Sequence, residues 1–155
     1  MSGMTPTPSL AEADLTTTFG RFVEAHAAIE RRLSRALEDQ CGLAHSWFEV
    51  MLRISRAEGG LASMSSLAEQ VALTTGGITR MVDRMISTGY VERVPCPSDR
   101  RVVYAALTTA GRVKLDEARV VHDAQLGAVF AGFSDADLAA LDGLLDRLRP
   151  QRGAS

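Results

Sequence analysis

Aromatic residues are scarce in this chain of 155 residues: five phenylalanines, two tyrosines and one tryptophan. Sandwiches and barrels lean on aromatic and β-branched side chains, so a chain dominated by aliphatic residues and alanine reads instead as a set of amphipathic helices. Cysteine occurs twice, at Cys41 and Cys96. Two thiols so far apart exclude a disulfide framework or a zinc ribbon, and the expectation is a reduced, unbridged pair. No apolar run reaches bilayer length, and the opening MSGMTPTPSLAEADL has neither a basic region nor a signal-type apolar stretch. The expected setting is therefore the cytoplasm, without membrane contact. Catalytic signatures are missing too. There is no P-loop, dinucleotide fingerprint or nucleophile motif, and His26, His45 and His122 fall on separate helices, so no enzyme is nominated. Cys41, His45 and Glu49 are spaced by four, but Gly42 breaks the helix that would gather them around a metal. No metal and no cofactor are expected.

What is present is an uneven charge. The total is −2, yet Arg80 to Arg112 holds six arginines (80, 84, 93, 100, 101, 112) against Asp83, Glu92 and Asp99, a net of +3 that leaves −5 for the remainder. A local positive stretch on a slightly acidic chain is the footprint that a polyanion would need.

The length suits one domain carrying helical arms. Leu15, Phe19, Phe22, His26, Ile29, Leu33 and Ala36 recur at steps of four and three, which predicts a helix over about 14–40, capped by Asp14 and ended by Gly42. A helix that long in a chain this short commonly packs on a second subunit. Trp47, Phe48, Val50, Met51, Leu52 and Ile54 cover most of a second helix, His45 to Ala57, which Glu58-Gly59-Gly60 terminates. Ser65 or Ser66, with Glu69 completing a capping box on Ser66, is expected to start a short third helix. Thr74 or Thr75 caps a fourth, with Ile78, Met81, Val82, Met85 and Ile86 facing inward and Gly89 closing it in the left-handed conformation. Two short helices joined by about four residues are a helix-turn-helix.

After Gly89 the period changes from helix to strand. Tyr90–Val94 and Val102–Leu107 are β-rich and flank the turn-forming PCPSDRR, which predicts a hairpin wing. Thr108 or Thr109 starts a fifth helix reaching Phe130, and Ser134-Asp135-Ala136-Asp137 caps a sixth whose Leu138, Leu141, Leu144, Leu145 and Leu148 form one stripe. The fold class is thus mostly α with a small β-hairpin wing.

In a helix-turn-helix the second helix enters the DNA major groove with its N-terminal residues toward the base edges. Here those are Thr74, Thr75, Gly76, Gly77, Thr79 and Arg80, with Arg84 one turn on. The paired glycines are poor helix formers whose missing side chains let the backbone approach a duplex, and the hydroxyls suit phosphates or bases. Ser65, at the start of the pair's first helix, joins this candidate set. At the wing tip Arg101, or Arg100, is the residue expected to enter the minor groove. Asp99 would repel phosphate unless it orients Arg101 by a charge-assisted hydrogen bond, which is the role assigned to it.

The run GGITRMVDRMISTGYVERVPCPSDRRVVYAALTTAG resembles the recognition helix, acidic-basic-arginine wing tip and Leu-Thr-x-x-Gly helix entry of the MarR family of bacterial transcriptional regulators. With the arms, the resemblance extends from about residue 12 to 149. It implies a homodimer joined through its first and last helices, binding a pseudo-palindromic operator in double-stranded DNA and released when a small molecule or oxidant acts. It also implies DNA contacts by Thr75, Gly76, Thr79, Arg80 and Arg84 and by Asp99, Arg100 and Arg101. Val102 departs from the pattern, standing where many members carry glycine. The implied organisation is a disordered tail (1–10), an N-terminal dimerisation helix (11–42), a winged helix-turn-helix (43–107), C-terminal dimerisation helices (108–149) and a second tail (150–155). An effector pocket between arms and winged domain is implied as well, with His26, Trp47 and Met51 as candidate linings.

Two alternatives stay open. Cys96 lies in an arginine-rich wing where positive charge favours thiolate, which would make the chain a redox-sensing regulator. A winged-helix protein-interaction module without specific DNA binding would instead tolerate loss of the arginine charges.

Overall fold

One carboxylate starts the long first helix. The computed structural model describes residues 14–71 and 75–149, and in it Asp14 Oδ1 accepts the backbone N–H groups of Thr16 and Thr17 at 3.1 and 3.2 Å, capping α1 (Leu15–Cys41). Gly42, at φ 60°, takes the left-handed conformation and donates to the Glu38 carbonyl, which ends α1. The chain continues as α2 (His45–Arg56), β1 (Ala62–Ser63), α3 (Met64–Gln70), α4 (Thr75–Ser87), β2 (Val91–Pro95), β3 (Val103–Leu107), α5 (Thr109–Val129) and α6 (Asp135–Leu148). Both tails expected to lack structure, and Thr74, lie outside the described residues.

The core is built around α2. Its Phe48, Met51 and Ile54 are buried in one cluster with Leu37 of α1, Leu67 of α3, Ile78, Val82 and Met85 of α4, and Leu115 and Ala118 of α5. Each such aliphatic or aromatic side chain contributes about 1.5–3 kcal/mol by leaving water. Ile78, Val82 and Met85 recur at steps of four and three, so burying them turns the opposite face of α4 outward. That outward face carries the arginines.

The sheet holds one strand more than the expected hairpin. Its order is β1-β3-β2, all antiparallel, with Val91 opposite Leu107 and Pro95 opposite Val103 in the hairpin, and Ala62 opposite Ala105 and Ser63 opposite Tyr104 on the other side. Two residues are too few to display a period, which is why β1 is invisible in the sequence. The extra strand also moves the start of α3. Ser63, not Ser65 or Ser66, is the cap: its Oγ accepts the Ser66 N–H at 3.2 Å. β1 holds Ser63 in the extended conformation that a cap requires. The expected Glu69 capping box does not form, and Gln70 Nε2 donates to Ser66 Oγ instead, at 2.7 Å.

A small joint sets the wing on the last helices. Thr108 Oγ1 accepts the Gly111 N–H (3.0 Å) and donates to the Gly89 carbonyl (2.6 Å), while the Thr108 N–H donates to the Tyr90 carbonyl (3.1 Å). Gly89 sits at φ 85°, where an L side chain is strained. Gly111 is required for a different reason: a Cβ there would lie 2.0 Å from the Tyr90 carbonyl oxygen. α6 opens with a capping box between Ser134 and Asp137 and is exposed along nearly its whole length. Among the described residues no helix is long and apolar enough to cross a membrane.

Candidate nucleic-acid interface

Gly76 stands exposed in the first turn of α4 with open space where a side chain would be. Thr75 opens the helix, Gly77 and Thr79 are half-buried, and Arg80, Asp83 and Arg84 are exposed. Among the described residues no carboxylate pairs with Arg80 or Arg84. Asp83 is committed elsewhere, to an ion pair with Arg93 of β2 that ties the outer face of α4 to the base of the wing. Ser65 is exposed at the start of α3, its hydroxyl 3.2 Å from that of Ser63.

The wing tip is a closed turn. Cys96 N–H donates to the Val102 carbonyl and Val102 N–H to the Asp99 carbonyl, both at 3.0 Å. Inside it, Asp99 Oδ1 accepts the backbone N–H of Arg101 at 3.0 Å and its Nε at 3.2 Å, while Oδ2 accepts Nη2 at 3.3 Å. These bonds from Arg101 hold the Asp99 carboxyl below its ordinary pKa, the side-chain bond contributing most. A guanidinium gripped along one edge keeps a limited set of directions, and the Arg101 side chain is nevertheless 90% exposed. Arg100 beside it is exposed and has no carboxylate partner among the described residues. The tip thus presents two cations, one of them oriented.

Cys96 is half-buried at the foot of this turn, its Sγ 3.2 Å from Ser98 Oγ. The Ser98 hydroxyl, followed by the backbone N–H groups of Ser98 and Asp99, pulls the thiol below its ordinary pKa. The Tyr104 hydroxyl reaches the same sulfur, and the charge of the thiolate pushes the tyrosine up in turn. Cys41 is the opposite case, buried at the end of α1 and raised by desolvation.

The arms leave apolar surface uncovered. Leu15, Phe19, Phe22 and Val23 of α1 are 46–66% exposed, and Leu144 and Leu148 of α6 are 56% and 76% exposed. So many large apolar side chains on two elements exceed the scattered exposures normal for a monomer.

A cleft of about 760 Å³ opens between α2 and α5, lined by Phe48, Leu52 and Arg56 on one side and Leu115, Arg119 and His122 on the other. None of the sequence-nominated linings faces it: His26 is exposed on α1, Trp47 packs half-buried on the core, and Met51 is fully buried. The wall is instead an aromatic stack, with His122 4.5 Å from Phe48 and 5.8 Å from His45 between ring centroids. His45 is buried and its Nδ1 lies 2.7 Å from Glu30 Oε1 of α1. The spacing of Phe48 and Leu52 by four on α2 hinted at this wall, but no periodic signal connects them to His122. Among the described residues no group of three His, Cys, Asp or Glu side chains could hold a metal ion.

The model of the MarR family matches residues 43–103, from the end of α1 to the start of β3. The multiple antibiotic resistance protein MarR of Salmonella typhimurium is 30% identical over 104 residues, covering 66% of this chain and 71% of that protein. The HTH-type transcriptional repressor YetL of Bacillus subtilis is 27% identical over 96 residues, 62% of this chain and 58% of that protein. With several such curated relatives the match spans only about half to three fifths of their length, 49–59%. Among solved structures, a mutant MarR from E. coli complexed with operator DNA is 25% identical and superposes with a TM-score of 0.76 over 89% of this chain and 100% of that one.

Proposed function

The chain belongs to the MarR family, and on that premise we propose that it is a transcriptional repressor that binds double-stranded operator DNA as a homodimer and is released by a small molecule. The observation that carries the DNA reading is the wing tip, where Asp99 orients a fully presented Arg101 beside Arg100. An oriented guanidinium suits the narrow minor groove, and the exposed Gly76–Arg80–Arg84 face of α4 suits the major groove. The repressor role is supported by the name of YetL, and operator binding by the E. coli MarR complex. Homodimerisation is supported by the uncovered apolar residues of α1 and α6, the first and last helices.

Effector release is assigned to the cleft between α2 and α5. It lies between the arms and the winged domain, joins aromatic and aliphatic walls to Arg56 and Arg119, and has a volume typical of small-molecule sites. The chemistry favours an aromatic or aliphatic acid, whose ring stacks on Phe48 and His122 while the carboxylate meets a guanidinium.

A second reading rests on Cys96. A thiolate held by Ser98 attacks hydrogen peroxide and breaks its O–O bond, the sulfur taking one hydroxyl as a sulfenic acid while the other leaves as hydroxide and takes a proton from solvent, and the altered side chain disturbs the turn that carries Arg101.

Fluorescence titration with duplexes from the DNA upstream of the chain's own reading frame, at several salt concentrations, tests the DNA reading. Binding tighter than to random duplex, with Arg101→Ala weakening it on the order of tenfold or more, is the expected result. Equal affinity for every sequence, or no change with Arg101→Ala, would leave an interaction module as the better description.

A further inference from the structure

A second cleft, of about 530 Å³, lies at the root of the wing, between the end of α2 and the β1–α3 corner. Arg53 and Arg56 form one side, Ser63, Ser66 and Gln70 the other, and Tyr104 of β3 lies opposite Ser63 in the ladder beneath. Arg53 Nε is buried and meets no hydrogen-bond acceptor among the described residues. Buried guanidinium N–H groups are almost always satisfied, so an orphan one on a residue that lines a cleft marks a missing acceptor. No carboxylate among the described residues pairs with Arg53 or Arg56. Glu58 is the one acidic lining residue, which leaves the two guanidinium groups in excess. Across the cleft, Ser66 Oγ already accepts from Gln70 and so keeps its own proton to donate. Arg53, Arg56 and Ser66 each have N–H or O–H groups to donate, and Arg53 Nε has no acceptor among the described residues.

We propose that this cleft binds an oxyanion, a phosphate or carboxylate group carried by a small organic molecule or by a nucleic-acid backbone. The planar fork of arginine matches both groups, and the volume exceeds what a bare ion fills. Occupancy joins α2 to Ser63 and Ser66, and through the Ser63–Tyr104 pair it stiffens the strand that carries the wing. Arg56 also lines the larger cleft between α2 and α5, so one guanidinium is shared by two sites. The proposal goes beyond the DNA reading, because it concerns the protein alone as much as its complex.

The experiment observes the arginine Nε–H resonances of the full chain by proton–nitrogen correlation. One arm adds inorganic phosphate or pyrophosphate, with sodium chloride at matched ionic strength as reference; the other adds a short upstream duplex. A saturable shift of the Arg53 resonance with phosphate or pyrophosphate but not chloride supports a free oxyanion. A shift with the duplex alone supports a backbone phosphate as the source. In either case Arg56→Gln, a change at an exposed position, raises the concentration needed to shift the Arg53 resonance by about tenfold or more. If neither anion nor duplex moves Arg53, or chloride moves it equally, the proposal is wrong. A duplex that binds without touching Arg53 overturns the cleft but not the DNA reading, whereas phosphate binding without any duplex binding does the reverse.

Discussion

Replacing Gly111 with alanine sets two effects of opposite sign against each other. Gly111 lies in the first turn of α5, and alanine there gains about 0.8–1.0 kcal/mol of helix propensity. The new methyl group, however, would sit 2.0 Å from the Tyr90 carbonyl oxygen and 2.9 Å from its carbon, both backbone atoms. Relief requires the start of α5 and the Gly89–Tyr90 turn to separate by about 1 Å, and overpacking of this kind typically costs about 1–3 kcal/mol. The same movement stretches the Thr108 bonds to the Tyr90 and Gly89 carbonyls, each worth about 1 kcal/mol. The clash therefore wins, and Gly111→Ala is expected to lose about 2–4 kcal/mol and to lower Tm by on the order of 10 °C. Urea unfolding followed by circular dichroism at one protein concentration measures it. The reference is Gly127→Ala, exposed in the same helix with nothing within 4 Å, which should gain up to about 1 kcal/mol. If Gly111→Ala proved as stable as the parent or more so, the joint would be soft and the argument from close approach would fail.

The uncovered faces of α1 and α6 predict that Phe19→Asp with Leu144→Asp converts a dimer to a monomer in sedimentation at micromolar concentration while helix content is kept; a parent already monomeric there contradicts the homodimer. Cys96 should react with iodoacetamide near neutral pH faster than the buried, raised Cys41, and Ser98→Ala should slow it by removing the strongest stabiliser of the thiolate; equal rates in parent and variant would remove that role from Ser98. The Asp137 carboxylate, held below its ordinary value of 3.8 by the Ser134 hydroxyl and backbone N–H, gives α6 a contribution that is complete above that value and fades as pH falls through the lower folded one. Ser134→Ala should therefore narrow its stability difference from the parent in strong acid, and a difference independent of pH between 2 and 5, roughly the window of carboxylate titration, would refute the capping assignment.

Much of this architecture was legible one element at a time. Asp14, Gly42, Gly89, Thr108 and the Ser134–Asp137 pair act through neighbours within a few residues, so the caps and helix ends they make are local facts that a sequence states directly. The wing tip is similar: Asp99 and Arg101 are two residues apart, and their hydrogen bonds follow from that proximity. The α4 face was readable too, because burying Ile78, Val82 and Met85 leaves only one direction for Arg80 and Arg84.

What tertiary structure alone decided are the contacts between residues distant along the chain. β1 exists because Ala62 and Ser63 find Ala105 and Tyr104 more than forty positions away, and it moved the cap of α3 back to Ser63. The stack of His45, Phe48 and His122 joins α2 to α5, and Arg53, with its orphan Nε, lines a cleft shared by α2, α3 and β3. Periodicity reports which face of an element is apolar, but not which element comes to meet it. The residues proposed to face DNA lie on surfaces set by local geometry, whereas both clefts form between elements and had to wait for the fold.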